Sequence, residues 1–362
     1  MKCIIKTISP VHIGNGREYG PSEFYHTQVE KTPVVARIDV NKFYSQLSDD
    51  KKDEFLEHLT DPSFKLQDYL LNVLKTVPGG IIQYMSIKMS KNIVNINEHI
   101  KTVGELYIPG SSLKGAIKTA LMYEKISNQD IQSLKRIIKK NYRGNFDVSR
   151  WDYQNFESQF FSSDGRNASY HNIMKFLQIS DTNTLKVPHV HGLATMKVKQ
   201  SGGAEWHKVH GHIMITHAET IEKGRILECE IDSNINPIVF EKLGLSDKKY
   251  MIEMEKMKSA IYNFSADYID FELNFAQKYG LNFLEEFYED LMDLNTLEKP
   301  LLRIGFGSGF LSTTIGLKVR EADPETYEMM RRTFRRAYPY EFPKSRKLTE
   351  KKMPLGWIQL DF

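Results

Sequence analysis

Near the end of the chain, in LRIGFGSGFLST at residues 302 to 313, three glycines alternate with Phe306 and Ser308. Gly305, Gly307 and Gly309 let backbone come close to a ligand and leave amides pointing outward, an arrangement suited to an anion or a ribose-phosphate chain. Arg303, just before them, is a candidate phosphate partner, and Phe306 or Phe310 a candidate stacking ring. Phe310 could equally belong to the core. The spacing excludes dinucleotide binding. That fingerprint needs G-x-G-x-x-G opening a helix, whereas G-x-G-x-G stands here with no βαβ unit after it.

A second candidate is YIPGSSLKGAIKTAL, residues 107 to 121. It falls short of an ATP-hydrolysing phosphate loop, because Ala116 occupies the place of the gripping lysine. Gly110, Ser111 and Ser112 at a helix start still offer free amides, with Lys114 and Lys118 as point charges. Phosphate binding without hydrolysis is one expectation; a structural helix capped by Ser111 or Ser112 is the other. A third candidate is SPVHIGNG, where His12 adjoins a turn containing Gly14 and Gly16. His12 there is either a general base for metal-free RNA cleavage or a side chain bonded to backbone.

The remaining histidines, His189, His191, His207, His210, His212 and His217, recur at i, i+2 spacing, which puts pairs on one face of a strand. With no cysteine pair and no H-E-x-x-H beside them, no metal site is expected, and their role stays open. No G-x-S-x-G elbow is present, so a serine hydrolase is excluded.

These candidates must be held by a chain of 362 residues, 41% hydrophobic and 26% charged, long enough for two ordinary domains. The formal charge of +3 is uneven: residues 331 to 352 carry +7, leaving −4 for the rest. Phe334, Tyr338, Tyr340 and Phe342 interleave with that charge, a pattern that suits single-stranded bases. Lys135, Arg136, Lys139, Lys140 and Arg143 form a second basic cluster. No apolar run is long enough for a membrane span, and Lys6 interrupts any signal peptide. Cys3 and Cys229 form no disulfide framework, which suits a reducing cytoplasm.

Periodicity places strands at 2 to 8, 34 to 39, 81 to 88, 176 to 181 and 225 to 231, with a hairpin at Ser201-Gly202-Gly203. Short helices are expected between Asn41 and Thr76, and longer ones to about Ile126 and over 130 to 140. Met254, Met257, Ile261, Phe264, Tyr268, Phe271 and Phe275 recur every three or four residues as the core seam of a long helix. Asn282 caps the next helix, which runs through Leu294; the strand LLRI, a helix near 324 to 336 and the strand GWIQLDF close the chain. Strands and helices mix without a βαβ repeat, so the class is α+β.

ISPVHIGNG, YIPGSSLKGAIKTAL and RIGFGSGFLST, in this order over nearly the whole chain, resemble the RAMP superfamily of CRISPR-associated RNA-binding proteins. The resemblance implies two ferredoxin-like (RRM-like) domains with helical insertions, at 1–145 and 170–362, joined by a connection at 146–169. Within the superfamily the pattern is most like the subunit that caps type III-A (Csm) effector complexes at the 3′ end of the crRNA. The repeating backbone subunit resembles it less, because the interval from Gly16 to Pro109 is long and Asp39 sits in no glycine-rich turn. The polymerase-like subunit is excluded by size and by the lack of G-G-D-D.

What the resemblance implies is RNA binding by His12, Gly14, Gly16, Ser111, Ser112, Lys114, Lys118, Arg303, Gly305, Phe306, Gly307, Ser308 and Gly309, with no catalytic residue, cofactor or metal. The implied partners are the single-stranded 3′ region of crRNA, target RNA indirectly, a neighbouring backbone subunit, the small helical subunit and a host 3′ exonuclease. The implied place is the prokaryotic cytoplasm. The alternative is a metal-independent endoribonuclease that processes precursor crRNA.

Overall fold

The computed structural model describes residues 1–87, 93–141, 150–164, 170–233, 236–332 and 341–362. The first strand, Lys2–Thr7, alternates exposed and buried residues, the period-2 signature of a strand with one wet face. It lies in the middle of a five-stranded antiparallel sheet, between Ile226–Ser233 and Trp357–Asp361, with Leu177–Ile179 and Leu301–Arg303 at the edges. Cys3 and Cys229 face each other in this register as buried free thiols.

A six-stranded sheet runs Ala204–Trp206, His189–Val198, Ile215–Thr220, Ile96–His99 and Gly14–Tyr19, with Ser345–Thr349 also paired to His189–Val198. Its pairings are antiparallel except Ile215–Thr220 with Ile96–His99. Both sheets draw strands from either side of residues 146–169. Within that segment Arg150–Phe161 is a helix that buries Phe156, Phe160 and Phe161 in the main core.

The seam of the long helix Met254–Lys278 is buried from Met257 to Phe275, and it packs on helices Gly110–Lys125 and Asn282–Leu294 and on strand Leu301–Arg303. The class is therefore α+β, with helical insertions. The first insertion pairs Phe24–Val29, Thr32–Ile38 and Ile82–Ile87 around short helices and has its own core of Phe43, Phe55, Leu66 and Tyr69. It joins the body through a smaller apolar cluster containing Tyr19, Phe24, Ile96 and Val190.

Two expected caps are corrected. The helix at Gly110 has Pro109 as its N-cap, so Ser111 and Ser112 lie in the first turn; Leu281, not Asn282, precedes the next helix. The expected helix near 324 to 336 is seen over Pro324–Arg332, and residues 333 to 336 lie outside the described residues. No described helix is long and apolar enough to cross a membrane.

Candidate nucleic-acid interface

The structure closes the first motif directly on the third. The amide of Phe306 donates to the carbonyl of His12 at 2.8 Å, Ile304 N to Gly356 O at 2.8 Å, and Gly356 N to Pro10 O at 2.9 Å. Gly305 explains why a side chain is excluded here. A Cβ would sit 2.4 Å from the His12 carbonyl oxygen, and φ is +73°. Gly307 and Gly309 share the left-handed conformation, at +83° and +85°. Three alternating glycines are thus a backbone that swings left-handed at every second residue, and L side chains resist that.

Opposite the loop, the expected turn at Gly14 and Gly16 is an irregular strand. Gly14 pairs with His99 and Glu18 with Asn97, so residues 15 to 17 bulge outward. Asn15 Oδ1 accepts from Arg17 N at 2.8 Å, and its amide donates to Glu98 at 3.0 Å. The bulge and the loop wall a cavity of about 420 Å³ lined by His12, Gly14, Gly16, Arg17, Glu98, Gly305 and Phe306, among others.

Phe306 is 41% exposed, and the Lys347 ammonium lies 4.9 Å from its ring centroid. Burial pulls the Lys347 pKa below the ordinary lysine value. In the sequence Lys347 was one cation among nine in the run 331–352; its pairing with His189–Val198 puts it at this ring. Arg17, also not singled out by its sequence context, is exposed at the cavity and pairs with Glu23 at 3.1 Å and Glu98 at 3.9 Å.

His12 is buried, with Nδ1 2.7 Å from the carbonyl oxygen of Glu219. Burial lowers its pKa, and burial brings the neighbouring His99 down to about 3. Beneath them the Glu219 carboxylate accepts from Tyr19 at 2.8 Å, His99 N at 3.0 Å, Lys101 at 2.8 Å, and Tyr84. This network fixes the floor of the cavity.

Arg303 occupies a different place from the one expected of a phosphate partner. It is 4% exposed and donates to Leu355 O and Gly307 O at 3.0 Å each and to the Tyr268 hydroxyl at 2.5 Å. It braces the loop from inside. Ser308 is likewise buried, donating to Gly305 O and accepting from Ser312 at 2.8 Å. Phe310 is half-buried against Phe342, ring centroids 5.3 Å apart, on the core side of the loop.

The PGSSLKG segment lies apart from this cavity, and its helix instead lines a separate one of about 380 Å³, where Lys118 meets Phe310 and Thr313 of the glycine loop. Its Gly110 amide donates to Asp181 Oδ1 at 2.8 Å, so a protein carboxylate already takes the anion position at the helix start. Lys118 pairs with Glu157, and Lys114 is half-buried, its pKa lowered by burial first and by Lys118 second. Ser111 is exposed. In the second basic cluster Lys135 pairs with Asp323 at 3.0 Å and Glu325 at 2.7 Å, and Lys139 with Glu325 at 3.4 Å. Arg143 lies outside the described residues, as do Phe334, Tyr338 and Tyr340 of the C-terminal run.

Of the histidine set, His191 is gripped between two carboxylates, Nε2 to Glu222 at 2.7 Å and Nδ1 to Glu350 at 2.6 Å. Burial pulls its pKa down, but the bonds and charges of Glu222 and Glu350 outweigh that and hold it at about 9. His189 joins Glu222 at 3.2 Å. The His191–Glu350 ion pair ties the turn after strand Ser345–Thr349 to the sheet. No group of three or more metal-ligating side chains occurs among the described residues.

A family model described as the RAMP superfamily matches residues 4–312. A Methanocaldococcus jannaschii protein named CRISPR system Cms protein Csm5 is 26% identical over 329 residues, covering 87% of this chain and 72% of that one. A Streptococcus thermophilus protein of the same name is 32% identical over 139 residues, 33% of this chain and 37% of that one. In fold the chain is similar to a chain of the cryo-EM structure of a Csm–crRNA–target RNA ternary complex of a type III-A CRISPR-Cas system, with a TM-score of 0.70 at 23% identity and full coverage of both. The crystal structure of Csm5 from T. onnurineus gives a TM-score of 0.65 at 22% identity, covering 98% of this chain and 99% of that one.

Proposed function

The chain belongs to the RAMP superfamily, and from that premise we propose that it is a non-catalytic RNA-binding subunit of a type III-A CRISPR interference complex. It holds the 3′ part of the crRNA, caps the filament of backbone subunits and supports crRNA maturation. One observation carries the reading: glycine segments from the two ends of the chain close on a single open cavity that offers bare backbone, an exposed aromatic ring and flanking cations.

The non-catalytic part is supported by the acid–base inventory. Cleavage assisted by His12 needs a second group that delivers a proton to the leaving oxygen. Glu98 lines the cavity; burial pushes its pKa up, but the bond from Asn15 and the charges of Lys101 and Arg17 outweigh that and hold it below the usual range. It is a carboxylate at neutral pH, not an acid.

The test is recovery of RNA with a tagged copy from the native host, followed by sequencing. Phe306→Ala combined with Lys347→Ala should deplete the recovered crRNA while the chain stays folded; unchanged recovery sinks the proposal. The endoribonuclease reading is checked with labelled repeat RNA in EDTA, where specific cleavage abolished by His12→Ala would replace the non-catalytic reading.

A further inference from the structure

We infer that His12 reads the 2′-hydroxyl of the bound strand and so makes the cavity selective for RNA over DNA. The inference rests on the RNA-binding reading above and adds the group that tells the two polymers apart. A carbonyl oxygen can only accept, so the 2.7 Å contact with Glu219 O places the imidazole hydrogen on Nδ1. In the neutral ring Nε2 is then a bare acceptor, and burial, which lowers the His12 pKa, keeps the ring neutral.

Among the described residues no hydrogen bond within the protein reaches Nε2, and the atom opens on the cavity. Gly14 keeps it uncovered: a Cβ there would lie 3.1 Å from Nε2. The ring cannot easily turn away, because His99 lies 5.8 Å from it and Phe306 5.7 Å, both edge-on. The atom is reached from the cavity, so a ligand that displaces its water must bring a donor of its own or lose that bond.

The position of Nε2 limits what that donor is. Phe306 offers a face for a base, while Lys347 over its ring and the exposed Arg17, shared with Glu23 and Glu98, offer charge for phosphates. Between base and phosphate lies the sugar, whose donor in RNA is the 2′-hydroxyl and which in DNA has none there. The O–H donates to Nε2, and no bond to phosphorus is made or broken.

The experiment walks a single 2′-fluoro substitution along a single-stranded RNA and measures binding to the purified full chain by anisotropy. Fluorine keeps the RNA-like sugar pucker but cannot donate. At one position the wild type should lose about fivefold in Kd, the worth of one ordinary hydrogen bond. His12→Asn keeps an amide N–H for Glu219 O and has no atom at the place of Nε2. It should bind unmodified RNA about fivefold more weakly and ignore the fluorine. Should that variant fail to fold, the wild-type walk decides alone.

Tight RNA binding with equal affinity at every fluorinated position overturns the role of His12 and leaves the RNA-binding reading standing. Absent RNA binding, or equal affinity for RNA and DNA that Phe306→Ala does not change, overturns both. RNA cleavage by the wild type but not by His12→Asn overturns the reader role in favour of a catalytic base.

Discussion

Two segments of this chain carry the same ingredients, glycine, hydroxyl and cation, and the fold uses them in opposite ways. In PGSSLKG the ingredients are closed on the protein itself: Asp181 takes the amide, Glu157 takes Lys118, and Gly110 is a glycine because the backbone of Ile179 lies against it. In the alternating-glycine loop the inner parts are also closed, by Arg303 and Tyr268 and by the His12 carbonyl against Gly305, but the outer rim stays open at Phe306 and Gly309. A glycine can thus mark contact between backbones or a surface left bare for a ligand. What separates the cases is whether a protein group has already taken the partner's place.

The comparison breaks most sharply at the two kinds of glycine. Gly110→Ala puts a Cβ 2.1 Å from Ile179 O, a backbone atom that cannot step aside. A loss of about 3 kcal/mol in chemical denaturation is expected, at the upper end of overpacking costs. Phe306→Ala should leave the melting temperature in place and weaken single-stranded RNA about tenfold, the stacking worth of one base. Gly309 has open space around its Cβ position, so Gly309→Ala meets only the left-handed φ of +85° and should cost about 1 kcal/mol. If Gly110→Ala and Gly309→Ala cost the same, the distinction drawn here is wrong.

Two smaller effects sharpen the open side. Lys347→Gln should flatten the dependence of log affinity on log salt by about 0.7, one phosphate contact on a single strand, in binding isotherms at several salt concentrations. His191 ties down the turn after the strand that carries Lys347, and its pKa is raised from 6.5 to about 9 in the folded state. Its contribution to stability is therefore complete below pH 6.5 and is lost as pH rises through about 9. Denaturation midpoints should decline over that window in the wild type and decline less in His191→Gln; parallel curves would remove His191 from the account.

Much of the frame is legible in the sequence, because periodicity survives without neighbours. The stripe from Met257 to Phe275 reports a buried helix face whatever it packs on, and the glycine pair after Lys199 turns a hairpin as its spacing requires. Partners distant in the chain were not readable. Arg303 looks the same in sequence whether it meets a phosphate or Tyr268, and nothing near Gly110 announces that Asp181 will reach its amide. The run of cations at 331–352 hid its own sorting: Arg346 is buried on Glu272 at 2.5 Å, whereas Lys347, one residue on, lies over the Phe306 ring. The strand alternation that separates those two only has meaning once the partner strand is known.

The seat of Lys2–Thr7, between a strand near residue 230 and the one at Trp357–Asp361, also sets a timetable. Ser9 meets Trp357 across 348 positions of sequence, so a ribosome releases the His12 side of the cleft long before the side that must face it. The wall at Phe306 is braced by the segment Gly356–Asp361, a late closure of high contact order that should slow refolding.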